Sequence, residues 1–140
     1  MNHAVSAGDA RFRGDFEAGR VPPSEFNHRA HLRLAYVYLC EHDLDTAYGL
    51  MRDGIRRFLA GNGVDAGKYH ETLTRAWMMA VRHFMMNSAP SQSFQDFVGQ
   101  HDVVLDPKIM LTHYSRDTLF SQQARAAFVE PDIDPISAYR

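Results

Sequence analysis

The sequence predicts an all-α protein that folds as a single helical bundle. Its 140 residues are one domain's worth of chain. Hydrophobic residues make up 45% and charged residues 23% of it, the proportions of ordinary globular proteins rather than of disordered or collagen-like chains. Apolar residues recur at spacings of three and four along most of the chain, a period typical of amphipathic helices. We therefore expect one helical domain over residues 1–140 and no sheet.

Capping and breaking residues divide the first two thirds of the chain into four predicted helices. A short helix covers residues 9–18, and three long amphipathic helices cover residues 24–41, 43–60 and 69–86. Their expected ends are marked by glycine, proline and N-capping side chains, namely Gly19, Pro22, Ser24, Asp43, Gly61 and Pro90. Because the connections are short, we expect antiparallel neighbours.

The last third of the chain is predicted to form shorter helices. One lies around Phe97, one begins at Asp106-Pro107, and a last one follows the N-cap Ser121 and ends near Phe128. The tail over residues 130–140 contains prolines that cannot continue a helix, so we expect it to lie extended over the surface.

The charge and the cysteine content exclude several classes of protein. A net charge of -2 and a pI of about 6.4 provide no basic surface for nucleic acid or an anionic membrane. The single cysteine, Cys40, excludes an internal disulfide and fits a reducing compartment. No stretch matches a secretion signal or a membrane span. We expect a cytoplasmic protein with neither nucleic-acid nor membrane partners.

Two histidines, His28 and His31, lie on the predicted buried face of the second helix. At about 100° per residue, His28 lies roughly 60° from His31, and Leu32, Ala35 and Leu39 share the same arc. Because residues three apart are neighbours on a helix, the two imidazoles can reach one point. The opposite side of the helix carries Arg29, Arg33 and Cys40.

A third histidine, His70, begins the apolar face of the fourth predicted helix. With His70 as zero, Thr74 lies at about 40° and Trp77 at about −20°, so Thr74 belongs to the same face. Glu71 lies at the boundary of that face. We expect it either to turn inward as a ligand or general base, or to pair with Arg75 at the surface.

Two residues of the last third complete the candidate set. His113 and Tyr114 share a helix face with Met110 after Pro107. We expect His113 to line the same pocket as the other histidines. Tyr114, together with Glu71, is a candidate catalytic residue.

A metal centre is the first functional hypothesis. Neutral imidazole is the commonest metal ligand in proteins, and three histidines with an open coordination position bind zinc or iron in enzymes. If their helices face each other, His28, His31 and His70 meet and bind a divalent ion such as Fe, Zn or Mn. Glu71 or a water then completes the coordination, and the site acts on a small organic molecule by hydrolysis or oxygen chemistry. The motifs of zincins and ferritin-like proteins are absent.

Two alternatives stay open. In the first, the histidines line a metal-free polar pocket that holds a small-molecule ligand, since buried imidazoles need partners for their ring nitrogens. In the second, the protein docks another protein through an exposed helix face, with a homodimer as the simplest form. Exposed apolar residues around Tyr36 and Cys40 would favour this alternative. Neither alternative requires catalysis.

Three segments resemble an uncharacterised group of small bacterial all-helical proteins. They are Phe26-Asn27-His28-Arg29-Ala30-His31-Leu32, Tyr69-His70-Glu71-Thr72, and the stretch from Tyr114-Ser115 to Ala124-Arg125. The resemblance covers most of residues 26–132. No activity is known for that group, so the resemblance implies a helical fold and no function.

Overall fold

Three long helices form the centre of the fold. In the computed structural model, which describes residues 2–136, helix α1 (Ala7–Glu17) precedes α2 (His28–Glu41), α3 (Leu44–Gly61) and α4 (Glu71–Met86). Helices α2, α3 and α4 each pack against the other two. Within the described residues there is no strand. The prediction of an all-α bundle with three long helices is confirmed.

Shorter elements follow the long helices. They are α5 (Phe94–Gln100), α6 (Arg116–Leu119) and α7 (Gln122–Ala126). Short 3₁₀ helices connect the elements at Pro23–Glu25, Ala66–Lys68, Asp102–Leu105 and Pro107–Thr112. The short C-terminal helices of the prediction are therefore present, although the one expected after Pro107 is a 3₁₀ helix.

Helix α2 begins later than the sequence predicts. Ser24 lies in the 3₁₀ turn Pro23–Glu25, and Asn27 is the N-cap, accepting a hydrogen bond from the backbone N–H of Ala30 at 2.9 Å. Pro23 occupies the first position of its turn, where its missing N–H costs nothing, so a separate turn forms before the helix. His28 is consequently the first residue of α2.

Helix α4 also begins later than predicted. Its N-cap is His70, whose side chain accepts a hydrogen bond from the backbone N–H of Leu73, and its first residue is Glu71. The N-caps predicted at Asp43 for α3 and at Ser121 for α7 are confirmed. His70 therefore lies at the helix end.

Helix α2 is buried on nearly all sides. Helices α3 and α4 cover one side, and α1 and α5 cover the other. Tyr36 is fully buried: its hydroxyl donates to the carbonyl oxygen of Ala4 at 2.7 Å, and its ring contacts Phe97. Cys40 is half-buried. The apolar side chain of Tyr36 is thus not exposed for docking, because the N-terminal segment and α5 cover it. Docking of a partner through another exposed helix face stays a prediction.

The buried carboxylate of Asp9 joins three helices. It accepts hydrogen bonds from the Arg33 side chain in α2 and from the backbone N–H of Phe94 in α5, both at 2.9 Å. Burial disfavours its ionised form, but these bonds outweigh burial and lower the pKa of Asp9. Ser6 and Asp9 also form a capping box, so α1 begins at Ala7.

The C-terminal third packs against α4 as a series of short elements, and its buried residues cluster with Ala76, Met79 and Ala80 of that helix. The Asp132 carboxylate accepts hydrogen bonds from Ser115 and Thr118, which fixes the start of α6. Residues 127–136 contain no helix, and residues 137–140 of the expected tail lie outside the described residues. No helix between residues 2 and 136 has the length and apolar character needed to cross a bilayer.

Candidate ligand-binding cavity

A cavity of about 770 Å³ lies between the three long helices and the C-terminal turns. Cavities of about 300–1,000 Å³ are the size that holds drug-sized organic molecules. Most of the lining is apolar, and residues 107–120 contribute a second wall opposite the long helices. The apolar lining includes Leu32, Ala35, Met51, Ile55, Phe58 and Trp77.

His31 contributes an unpaired nitrogen to the cavity wall. Its Nδ1 lies 2.9 Å from the carbonyl oxygen of Asn27, so Nδ1–H donates and Nε2 keeps its lone pair. Its ring packs on Phe26 with the centroids 4.1 Å apart. Burial lowers the pKa of His31, outweighing the opposite effect of the Asn27 bond, and nearby His28 lowers it further. The imidazole is therefore a neutral acceptor at neutral pH.

His28 connects the start of α2 to the C-terminal turns. Its Nε2–H donates to the carbonyl oxygen of Val104 at 3.0 Å, which leaves the lone pair on Nδ1. Its ring meets Trp77 edge-on at a centroid distance of 4.7 Å. His28 thus holds the start of α2 against the 3₁₀ turn Asp102–Leu105, which precedes the second wall of the cavity.

His70 uses both of its ring nitrogens. Nε2–H donates to the carbonyl oxygen of Leu119 at 2.8 Å, and Nδ1 accepts from the backbone N–H of Leu73 at 3.1 Å. Burial lowers the pKa of His70, outweighing the Leu119 bond, and the charge of Arg125 adds to the lowering. The side chain lines the cavity as a neutral and fully hydrogen-bonded group.

Because of these hydrogen bonds, the three imidazoles do not offer three free ring nitrogens to a metal ion. His28 and His31 each keep one free lone pair, whereas His70 keeps none. Among residues 2–136, no group of three or more His, Cys, Asp or Glu side chains is placed to hold a metal ion. The metal centre stays a prediction, and it requires His70 to free one ring nitrogen, for example Nδ1 by releasing the backbone N–H of Leu73 while Nε2–H still donates to Leu119.

The second-rank candidates separate into two groups. Thr74 lines the cavity, and its hydroxyl donates to the carbonyl oxygen of His70 at 2.9 Å. Glu71, His113 and Tyr114 do not line it. The structure therefore brings four of the seven predicted site residues, the three histidines and Thr74, to one place.

Each residue outside the cavity has another partner. Glu71 accepts hydrogen bonds from the hydroxyls of Tyr48 and of Tyr69, which itself lines the cavity. His113 lies by a separate cavity of about 130 Å³ and contacts the carbonyl oxygen of Asp134. Buried Tyr114 donates to the carbonyl oxygen of Val129 at 2.6 Å. These contacts give all three residues a structural role.

Positively charged side chains line the cavity. The exposed side chains of Lys68, Lys108 and Arg116 are part of the lining, whereas no Asp or Glu among residues 2–136 is. None of the three cations forms an ion pair within residues 2–136. Because the whole chain has a net charge of -2, this positive lining is local. Arg125 donates to the backbone carbonyls of Gly67 and Lys68, which holds this part of the rim in place.

Lys68, Lys108 and Trp77 line the cavity and are not among the candidates predicted from the sequence. Lys68 and Lys108 are the only lysines among the 15 Lys and Arg residues, and Trp77 is the single tryptophan. The sequence shows that these residue types are rare in the chain. It does not show that the three residues lie together, because this depends on how the turns over residues 66–68 and 107–112 pack on the helices.

No family model matches the chain, and neither a curated protein nor a solved structure matches it. The fold and the cavity define a small all-α protein with a largely apolar cavity that has cations at its rim.

Proposed function

We propose that the protein binds a small organic anion with an apolar body in the cavity. The observation that carries this proposal is a mostly apolar lining that contains Lys68, Lys108 and Arg116 and, among the described residues, no carboxylate. Apolar walls favour binding by about 25 cal/mol for each Å² of ligand surface removed from water. The cations select a negatively charged end and disfavour a positively charged one.

Trp77 provides a direct measurement of this binding. It is the only tryptophan and lines the cavity, so energy transfer from it reports a fluorescent molecule bound there. Two dyes with the same aromatic body separate charge from apolarity: anilinonaphthalene sulfonate carries an anionic group, and N-phenylnaphthylamine lacks it. We expect both dyes to accept energy from Trp77 in the wild-type protein.

The double variant Lys68→Met, Lys108→Met tests the role of charge. Methionine keeps much of the side-chain length and removes the ammonium groups. We expect affinity for the sulfonate to fall about three- to tenfold, since exposed charge pairs contribute roughly 0.2–1 kcal/mol each, and affinity for the neutral dye to change less than twofold. The loss should shrink at high salt, which screens the charges.

Arg11→Met is the matched control. Arg11 is exposed on α1 and does not line the cavity, so the variant removes one positive charge elsewhere. It should leave both affinities unchanged. Equal losses for the two dyes in the lysine variant, or an equal loss of sulfonate binding in Arg11→Met, would contradict the proposal.

A metal-dependent reaction in the same cavity is the second candidate. It is favoured by the unpaired nitrogens of His28 and His31, which supply two ligands and leave the others to a bound molecule or to a rearranged His70. Elemental analysis of untagged protein purified without chelator tests it. Stoichiometric iron, zinc or manganese that is lost in His31→Ala would support this candidate, and metal-free protein after reconstitution would reject it.

We also propose a cytoplasmic location. The support is the single cysteine, Cys40, which is a free thiol and half-buried, because free thiols are typical of reducing compartments.

A further inference from the structure

We propose that the bound anion carries a hydroxyl group, or another O–H or N–H donor, that donates a hydrogen bond to Nε2 of His31. This inference rests on the proposed function and names the chemical class of its ligand, a hydroxylated organic acid with an apolar or aromatic body. The cations at the rim bind the negative end, and His31 binds the donor.

The hydrogen bond between His31 and Asn27 determines which nitrogen is free. Because Nδ1–H donates to the Asn27 carbonyl oxygen, Nε2 carries the lone pair and acts as an acceptor. Within residues 2–136, Nε2 of His31 has no partner. Among residues 2–136, one side-chain nitrogen is both fully buried and without a hydrogen-bond partner, and it belongs to His101 rather than to His31. Nε2 of His31 is therefore accessible. The free acceptor is thus open to the cavity that His31 lines.

Because the surroundings of Nε2 are apolar, a ligand that fills this space must supply the hydrogen-bond donor for this nitrogen. The His31 ring packs on Phe26, and Phe26 in turn contacts Phe58 at a centroid distance of 4.4 Å. A wholly apolar ligand that fills this space displaces the water from Nε2 and leaves the nitrogen without a hydrogen bond. A buried site built for a hydrogen bond rejects ligands that cannot make it. The hydroxyl of Thr74 cannot take this place, because it donates to the His70 carbonyl oxygen.

A series of naphthoates tests the inference. The probes are naphthoate itself, its hydroxy regioisomers and the corresponding methyl ethers, which keep the oxygen and lose the donor. Binding is measured by calorimetry on the wild-type full chain. We expect at least one hydroxynaphthoate to bind about tenfold more tightly than both naphthoate and its own methyl ether.

Two variants connect this preference to His31. In His31→Phe, which replaces the acceptor with an apolar ring, the hydroxyl preference should fall below about twofold while naphthoate still binds. In His31→Gln, which retains an acceptor oxygen, part of the preference should return. His83→Phe, which lies in α4 and does not line this cavity, is the control and should keep the full preference. Thermal unfolding of each variant shows that it is folded.

The outcomes separate this inference from the proposed function. If naphthoate binds and no hydroxy isomer is preferred, or if the preference persists in His31→Phe, the inference is overturned and anion binding stands. If no naphthoate binds at all, both are overturned. A preference confined to proteins with an acceptor at position 31 supports the inference.

Discussion

The imidazole of His70 joins the start of α4 to the last residue of α6, because its Nε2–H donates to the Leu119 carbonyl oxygen at 2.8 Å. Nδ1 of the same ring is the N-cap acceptor of α4. One side chain therefore determines both where a long helix begins and where a cavity wall lies. A second histidine, His28, holds the turn that precedes this wall through Val104.

Replacing His70 should destabilise the protein strongly. In His70→Ala both bonds are lost, and we expect the free energy of unfolding to fall by about 2–3 kcal/mol, the sum of a lost N-cap and a lost buried hydrogen bond. Urea denaturation measures this change. The control is His42→Ala, because His42 is exposed after α2, and its effect should stay within about 0.5 kcal/mol. Equal stabilities of the two variants would refute the prediction.

Stability should decrease in mildly acidic solution. Burial lowers the pKa of both His70 and His31 in the folded protein, whereas unfolded imidazoles titrate at about 6.5. Above that pH both states are neutral and the stabilisation is complete. As the pH falls below it, the unfolded state binds protons first, so stability is lost until the folded-state pKa values are passed.

The measurement is the free energy of unfolding between about pH 7.5 and pH 5, compared with His70→Asn. Asparagine is a good N-cap that does not titrate, so this variant should show a shallower decrease. Asp9, whose pKa is lowered, contributes stability above its unfolded value of 3.8 and loses it only under more acidic conditions. A flat wild-type profile, or identical slopes in wild type and variant, would count against the assignment.

Filling the cavity should stabilise the protein and weaken ligand binding. Ala35 is buried in α2 and lines the cavity, so Ala35→Leu adds apolar volume where there is space. We expect a gain of about 0.5–1 kcal/mol in unfolding free energy, together with a loss of about tenfold in affinity for the sulfonate dye. Ala60→Leu, on the exposed side of α3, should change neither quantity. A loss of stability in Ala35→Leu would show that the cavity has no room for the larger side chain at this position.

Replacing His101 should also stabilise the protein. Its Nε2 is buried without a hydrogen-bond partner among residues 2–136, and its ring contacts Phe84 and Phe97. His101→Phe removes the unsatisfied nitrogen and keeps an aromatic ring, so we expect a gain of about 1 kcal/mol, or about 2–5 °C in Tm. Calorimetry measures the shift. His42→Phe at an exposed position is the comparison, and a lower Tm for His101→Phe alone would show that the nitrogen has a stabilising partner.

The long helices could be predicted because their signals are local. The N-cap Asp43 and the apolar stripe of α3 lie within one segment, and the structure follows them. The start of α2 was harder to predict, since Ser24 and Asn27 are both capping residue types and the choice depends on the turn that Pro23 begins. Helical angles likewise placed His28 and His31 on a shared face.

The cavity itself could not be derived from such local signals. Its second wall is made of short turns that have no amphipathic stripe of their own. Their position depends on bonds between residues far apart in sequence, such as His28 with Val104 and His70 with Leu119. The same bonds decide which ring nitrogens are free, so the sequence could not distinguish a metal centre from a metal-free pocket.

Because of where the two lysines lie, the rim of the cavity can be labelled covalently and selectively. Because Lys68 and Lys108 are the only lysines in the chain and both are exposed where they line the cavity, an amine-reactive ester can modify side-chain amines only there. Mass spectrometry of the two labelled peptides, with and without a metabolite extract, then becomes a footprinting assay for occupancy. Such an assay detects a natural ligand before its identity is known and allows fractions of the extract to be followed until one compound accounts for the protection.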